Sequence, residues 1–97
     1  MSGQGYVYIL ANCVHTVLYT GVTSDLPLRV YQHKSGEGSA FTRKYKVDRL
    51  VWYDDFPTMM QAIEAEKRIK GGSRKAKVAL IREMNPEWRD LAEDFEL

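Results

Sequence analysis

Gly5-Tyr6-Val7-Tyr8-Ile9-Leu10 is apolar, aromatic and β-branched, and too short for a helix, so it reads as a buried strand. Residues 11–16 (ANCVHT) read as a turn and residues 17–21 (VLYTG) as a second strand, which makes the pair an antiparallel hairpin. The two-residue period of a strand puts Tyr6, Tyr8 and Leu10 on one face of the first strand, and Val17 and Tyr19 on one face of the second. Downstream, Ser24 or Asp25 caps a helix with Pro27 in its first turn, running to about Lys34. Residues 35–40 (SGEGSA) read as a flexible loop and residues 50–53 (LVWY) as a third strand. Thr58 with Gln61 forms a capping-box pattern that opens a second helix, stopped after Lys70 by Gly71-Gly72. Residues 73–84 give a third helix. Asn85-Pro86 ends it and starts a last one with Trp88, Leu91 and Phe95 on its apolar side. The order ββαβααα lacks the alternation of a doubly wound fold and predicts an α+β domain, a small, mostly antiparallel sheet covered by helices.

Composition sets the outer bounds. Ninety-seven residues suit one domain, 1–97, and the single cysteine, Cys13, leaves no disulfide framework and no zinc ribbon. No apolar run approaches the ~18–20 residues of a bilayer span, and the polar start MSGQG does not read as a secretory leader, so a cytoplasmic protein is expected. The net charge of +1 conceals a strong asymmetry. Residues 26–82 carry 13 Lys/Arg against 6 Asp/Glu, a net +7, while residues 83–97 carry one Arg against 6 Asp/Glu, a net −5. Such a middle is either a phosphate-binding surface or a solvated face that keeps the domain soluble.

Three features break the ordinary core pattern. On the second helix, Met59, Ala62, Ile63, Ile69 and the Lys70 stem share a stripe with Glu66 in its middle. A carboxylate aimed inward needs a partner, either an arginine in a structural ion pair or a hard cation. On the first helix, Arg29 and His33 sit at i and i+4. They are either an exposed surface pair or a phosphate clamp with a proton-handling neighbour. In the hairpin, Tyr6, Tyr8 and Tyr19 are either packing residues with wet hydroxyls or, near basic groups, chemical ones.

Tyr6-Val7-Tyr8, ten residues on Tyr19-Thr20-Gly21, then Arg29, His33 and a helical Glu66 together resemble the GIY-YIG nuclease superfamily. Within it the chain is similar to the small single-domain bacterial branch, whose module resembles the N-terminal nuclease domain of the excision-repair incision subunit. Arg29 lies ten residues after Tyr19, Ala62 four before Glu66, and Asn85-Pro86-Glu87-Trp88 before Asp90-Leu91 resembles the end of that branch. The chain departs from the pattern at Tyr6 for glycine, at Val7 and Thr20 for isoleucine, and at Val22, where some members carry a lysine that tunes the tyrosine.

The resemblance implies a three-stranded antiparallel sheet flanked by helices, and a DNA endonuclease of repair type, with RNA left open as substrate. The DNA it would cut is branched, damaged or single-stranded, and the resemblance also implies one Mg²⁺ or Mn²⁺ ion with Glu66 as the sole protein ligand. Tyr8 would act as general base or orient the attacking water, and Tyr19 would hold the water or phosphate. Arg29 would neutralise the pentavalent phosphate, and His33 would assist. Lys67, Arg68, Lys70, Arg74, Lys75 and Lys77 are candidates to hold the flanking backbone. Phe41, Thr42, Arg43, Lys44 and Tyr45 either stack a splayed base or form an ordinary solvated loop. With no helix-turn-helix or zinc finger, specificity would come from DNA shape or a partner protein. The competing readings are a non-catalytic nucleic-acid-binding module that keeps the fold, and an adaptor whose acidic tail docks a basic partner.

Overall fold

In a computed structural model that describes residues 4–95, β1 (Gly5–Ala11) is buried along its whole length. It is the middle strand of a three-stranded sheet of order β2-β1-β3, antiparallel on both sides, between β2 (Leu18–Thr23) and β3 (Arg49–Phe56). The predicted faces hold. Tyr6, Tyr8 and Leu10 share one core with Val17 and Tyr19, while Val7, Ile9 and Ala11 share the other with Leu18 and Val22. A bulge opposite Ile9/Leu10 puts Val51 and Trp52 on the same side, leaving Leu50 and Tyr53 on the tyrosine face.

Helix α1 (Leu26–Lys34) lies against the tyrosine face, capped by Asp25 with Pro27 in its first turn, and buries Leu26, Val30 and His33. The opposite face is covered by α3 (Met59–Lys70, capped by Thr58) and α4 (Arg74–Met84, capped by Ser73). The buried line of α3 is Ala62 and Ala65, with Ile69 partly covered. The small Ala62 lets the helix close on the backbone of Gly5, where a Cβ would strike it. This corrects the expected stripe, since Ile63 is exposed.

Two expectations about element type fail. Residues 35–39 are loop as expected, but residues 41–45, read as loop or stacking segment, are helical: Ser39 caps a short helix, α2 (Ala40–Tyr45), which ends at Lys46 in the left-handed conformation. The order is therefore ββααβαα. Among the described residues after α4 there is no further α-helix, only a 3₁₀ turn at Leu91–Asp94. Asn85 is the reason. Its buried amide donates to the carbonyls of Val51 (3.2 Å) and Arg89 (2.7 Å), and its oxygen accepts from Arg89 N–H (3.0 Å). That clamp closes a tight loop in which Trp88 takes a φ of 55° and stacks on His15, 4.5 Å between centroids. Asp90 then ties the segment down, to Lys34 Nζ at 2.6 Å and Leu50 N–H at 3.1 Å, and Leu91 and Ala92 complete the tyrosine-face core. The acidic tail is part of the fold as far as Phe95, which packs against Tyr53. No helix among the described residues is long and apolar enough to cross a membrane.

Candidate active site

The site grows from Tyr8 on the central strand. Its cross-strand partner on β2 is Gly21, and the phenol lies over that glycine, where any Cβ would collide with the ring and hydroxyl. The Tyr8 hydroxyl meets His33 Nε2 at 2.9 Å in the buried layer between β1 and α1. The other ring nitrogen, Nδ1, meets Thr42 Oγ1 at 2.9 Å. Thr42 Oγ1 lies 2.9 Å from Ser39 Oγ and 3.3 Å from the Ser39 carbonyl; with its proton given to Ser39 it receives Nδ1–H, and Nε2 is left to accept from the Tyr8 hydroxyl. The result is a directed chain, Tyr8 to His33 to Thr42 to Ser39.

Burial and the nearby Arg29 push the His33 pKa down to about 4, which makes the ring a neutral acceptor near neutral pH. Burial also pushes the Tyr8 hydroxyl up to about 12, against the opposing pull of Arg29 beside it. Tyr8 therefore rests as a phenol, not a phenolate. Arg29 is half-buried. It donates to Gln32 Oε1 at 3.2 Å and to the Gly38 carbonyl at 3.1 Å, pinning the 36–39 loop onto α1. Gly38 in turn presses on the His33 ring so closely that no side chain fits there.

Tyr19 stands beside this pair, its ring 6.5 Å from Tyr8 and 5.5 Å from His33 by centroids. Glu66 is half-buried on α3 and makes no hydrogen bond or ion pair with the described residues. One turn on, Lys70 holds its ammonium 6.0 Å from the Tyr19 ring centroid. This side of α3 thus reaches past the edge strand β2, and the negative field of Glu66 is felt at the Tyr8 hydroxyl. Tyr8, Tyr19, Arg29 and His33 lie together, with Glu66 at the rim.

The basic residues separate. Lys70 and Lys77 line an open groove of about 400 Å³ with Leu18, Tyr19, Thr20 and Phe41. Arg43 and Lys44 sit on α2, exposed, and Lys67 and Lys75 are exposed on α3 and α4. Arg68 faces a different groove, with Trp52, Asp54 and Phe56. Arg74 is committed to the carbonyls of His15 and Thr16 in the hairpin turn. Sequence reasoning named Gly21 only as part of the Tyr19-Thr20-Gly21 motif, and missed Gly38 and the orienting role of Thr42. The Ser39-x-x-Thr42 pattern was a cap signal within two Gly-rich turns and could have exposed the last of these.

The match to known proteins gives the class, a nuclease-type domain. Residues 4–79 match the GIY-YIG catalytic domain, and the chain belongs to that family, which implies a nucleic-acid substrate. The UPF0213 protein of Streptococcus sanguinis (strain SK36) is 35% identical over 83 residues, spanning 86% of this chain and 94% of that one. The UPF0213 protein of Haloquadratum walsbyi is 39% identical over 83 residues, spanning 86% and 92%. Among solved structures, the solution NMR structure of the UPF0213 protein of Bacillus halodurans aligns with a TM-score of 0.56 at 34% identity, covering 89% of this chain and 90% of that one.

Proposed function

We propose that this chain is a divalent-metal-dependent endonuclease that hydrolyses phosphodiester bonds in DNA. The observation that carries the reading is the buried bond from Tyr8 to a neutral His33 with Arg29 alongside. A phenol with a pKa near 12 is no base by itself, but a phenol whose proton can leave to a waiting imidazole is. As water gives its proton to the Tyr8 oxygen, the Tyr8 proton passes to His33 Nε2, and Thr42 holds the opposite N–H throughout. Burial and the field of Arg29 both resist an imidazolium, and the negative charge that enters with the phosphate opposes them. Arg29 keeps guanidinium donors beyond its two internal bonds and turns them on the phosphate oxygens as charge accumulates in the pentavalent transition state. Tyr19 positions the water or the scissile phosphate from the other side.

Glu66 fits a hard cation. It is a half-buried carboxylate without a protein partner among the described residues, and no group of three or more His, Cys, Asp or Glu forms a cage there. Mg²⁺ is commonly held by one or two carboxylates, with water and phosphate oxygens completing the shell. When bound, the ion would supply charge stabilisation for the departing 3′ oxygen.

The test is cutting of plasmid, branched and single-stranded DNA in Mg²⁺, Mn²⁺ or EDTA. Tyr8→Phe, Arg29→Ala and Glu66→Ala are each expected to lose activity by at least about a hundredfold, the scale of a general base or a charge-stabilising group. Metal-independent cutting, or cutting equal in all four proteins, would mean that the nuclease activity is not here. Binding without cutting would support the non-catalytic module instead. For the adaptor reading, Asp90 is tied into the core segment while Glu83, Glu87, Glu93 and Asp94 stay exposed, and capture of a basic partner that is lost on deleting residues 92–97 would support it.

A further inference from the structure

Helix α2 is built in an unusual way for a six-residue element that only has to fold. It buries a single residue, Thr42, and turns Phe41 and Tyr45 outward at i and i+4, each more than two-fifths exposed. These rings are not scattered. Phe41 stacks on Tyr19 at 6.0 Å and 29° between planes, and Tyr45 lies 4.9 Å beyond Phe41. A row of rings therefore runs outward from the Tyr8–His33 pair: His33, Tyr19, Phe41, Tyr45. Cations border it at both ends, Lys44 5.3 Å from the Tyr45 ring and Lys70 6.0 Å from the Tyr19 ring, while Lys77 lines the groove beneath Phe41. The row is fixed to the chemistry as well, since the same short helix supplies Thr42, which orients His33.

Exposed aromatic faces between ammonium groups are complementary to an unpaired nucleotide, with a π-face to stack and a phosphate on either side. Paired bases inside a duplex offer no free face to such a row. We propose that Phe41 and Tyr45 form a stacking subsite for an unpaired base flanking the scissile phosphate, with Lys70 and Lys77 on its backbone. The substrate class is then a single-stranded or locally splayed strand rather than intact duplex. This rests on the nuclease reading for the word scissile, but the subsite itself is a binding site and is tested as one.

The measurement is fluorescence anisotropy of a labelled single-stranded oligonucleotide, and of its duplex, with the full chain in EDTA so that no cutting intervenes. Wild type is expected to prefer the single strand. The Phe41→Ala/Tyr45→Ala protein is expected to lose about 5- to 150-fold in single-strand affinity, the range for removing a stacked base contact, while duplex binding changes little. Tyr31→Ala, which removes an exposed aromatic from α1, is the control and should bind like wild type. Phe41→Trp should retain binding, and Phe41→Leu should not, because the leucine keeps apolar packing but loses the ring. If the double variant is too unstable to assay, the wild-type protein answers alone. Titrated into an oligonucleotide carrying 2-aminopurine, it should quench the probe by stacking. No quenching, or equal affinity for single strand and duplex, overturns the subsite. Metal-dependent cutting that needs Arg29 and Glu66 would still stand in that case.

Discussion

His33 is held at both ring nitrogens inside the protein, which gives it a measurable signature. Its pKa of about 4 lies below the ~6.5 of an unfolded histidine. Between those values the unfolded chain takes up a proton and the folded chain does not. The stability His33 contributes is therefore complete above pH ~6.5 and is lost as pH falls towards 4, by at most ~1.4 kcal/mol per pH unit. Glutamine accepts from Tyr8 but stays neutral at every pH, so His33→Gln should lack this slope. Urea unfolding of both proteins across that window checks it, and parallel losses would show that His33 is not buried neutral. At the residue scale much of the site was readable. Strand alternation put Tyr8 with Tyr6 and Leu10 on one face of β1 and Tyr19 with Val17 on one face of β2, and helical spacing put Arg29 beside His33. What alternation cannot convey is why Gly21 and Gly38 are glycines, because each makes room for a ring distant in the chain.

At the scale of elements, the capped and amphipathic segments were legible and the short or clamped ones were not. Asp25, Thr58 and Ser73 cap the three longer helices from positions that a sequence rule finds. Helix α2 buries one residue and so has no stripe, and the glycines before it imitate a loop. The segment after Asn85 looks helical because Trp88, Leu91 and Phe95 are spaced that way. It is instead shaped by bonds to Val51 and by the His15–Trp88 stack, 73 residues apart in the chain. The hidden helix carries a prediction of its own. Ser39→Ala and Ser73→Ala each remove an N-cap, at ~1 kcal/mol apiece. Only the first should also disturb the tautomer of His33, because it removes the hydroxyl 2.9 Å from Thr42 Oγ1 and leaves only the longer bond to the residue 39 carbonyl. Imidazole ¹⁵N shifts separate the two outcomes, and a His33 spectrum unmoved by Ser39→Ala would mean Thr42 is oriented by the sheet layer alone.

Across the whole molecule, the charge asymmetry of the chain resolves into a direction. The domain measures 32 × 30 × 24 Å, about one turn of a duplex (~34 Å), so it has no room to read a long site. Of the basic middle, Arg74 is spent on the hairpin turn, Arg68 faces another groove that Lys77 also borders, and Arg43 lines a third beside Gly36 and Asp48, which leaves Lys70, Lys77 and Lys44 near the aromatic row. Three such contacts on a single strand predict that log affinity falls with log salt at a slope of about −2, at ~0.7 per phosphate neutralised. Lys70→Gln with Lys77→Gln should flatten that slope by about 1.4, while Arg68→Gln with Lys75→Gln should leave it nearly unchanged. Anisotropy titrations over a range of salt read both. Equal flattening by the two pairs would show that the net +7 of residues 26–82 acts as a diffuse cloud. The predicted inequality would show that the fold gathers an otherwise neutral chain's positive charge at the edge of β2, where the reacting strand must lie.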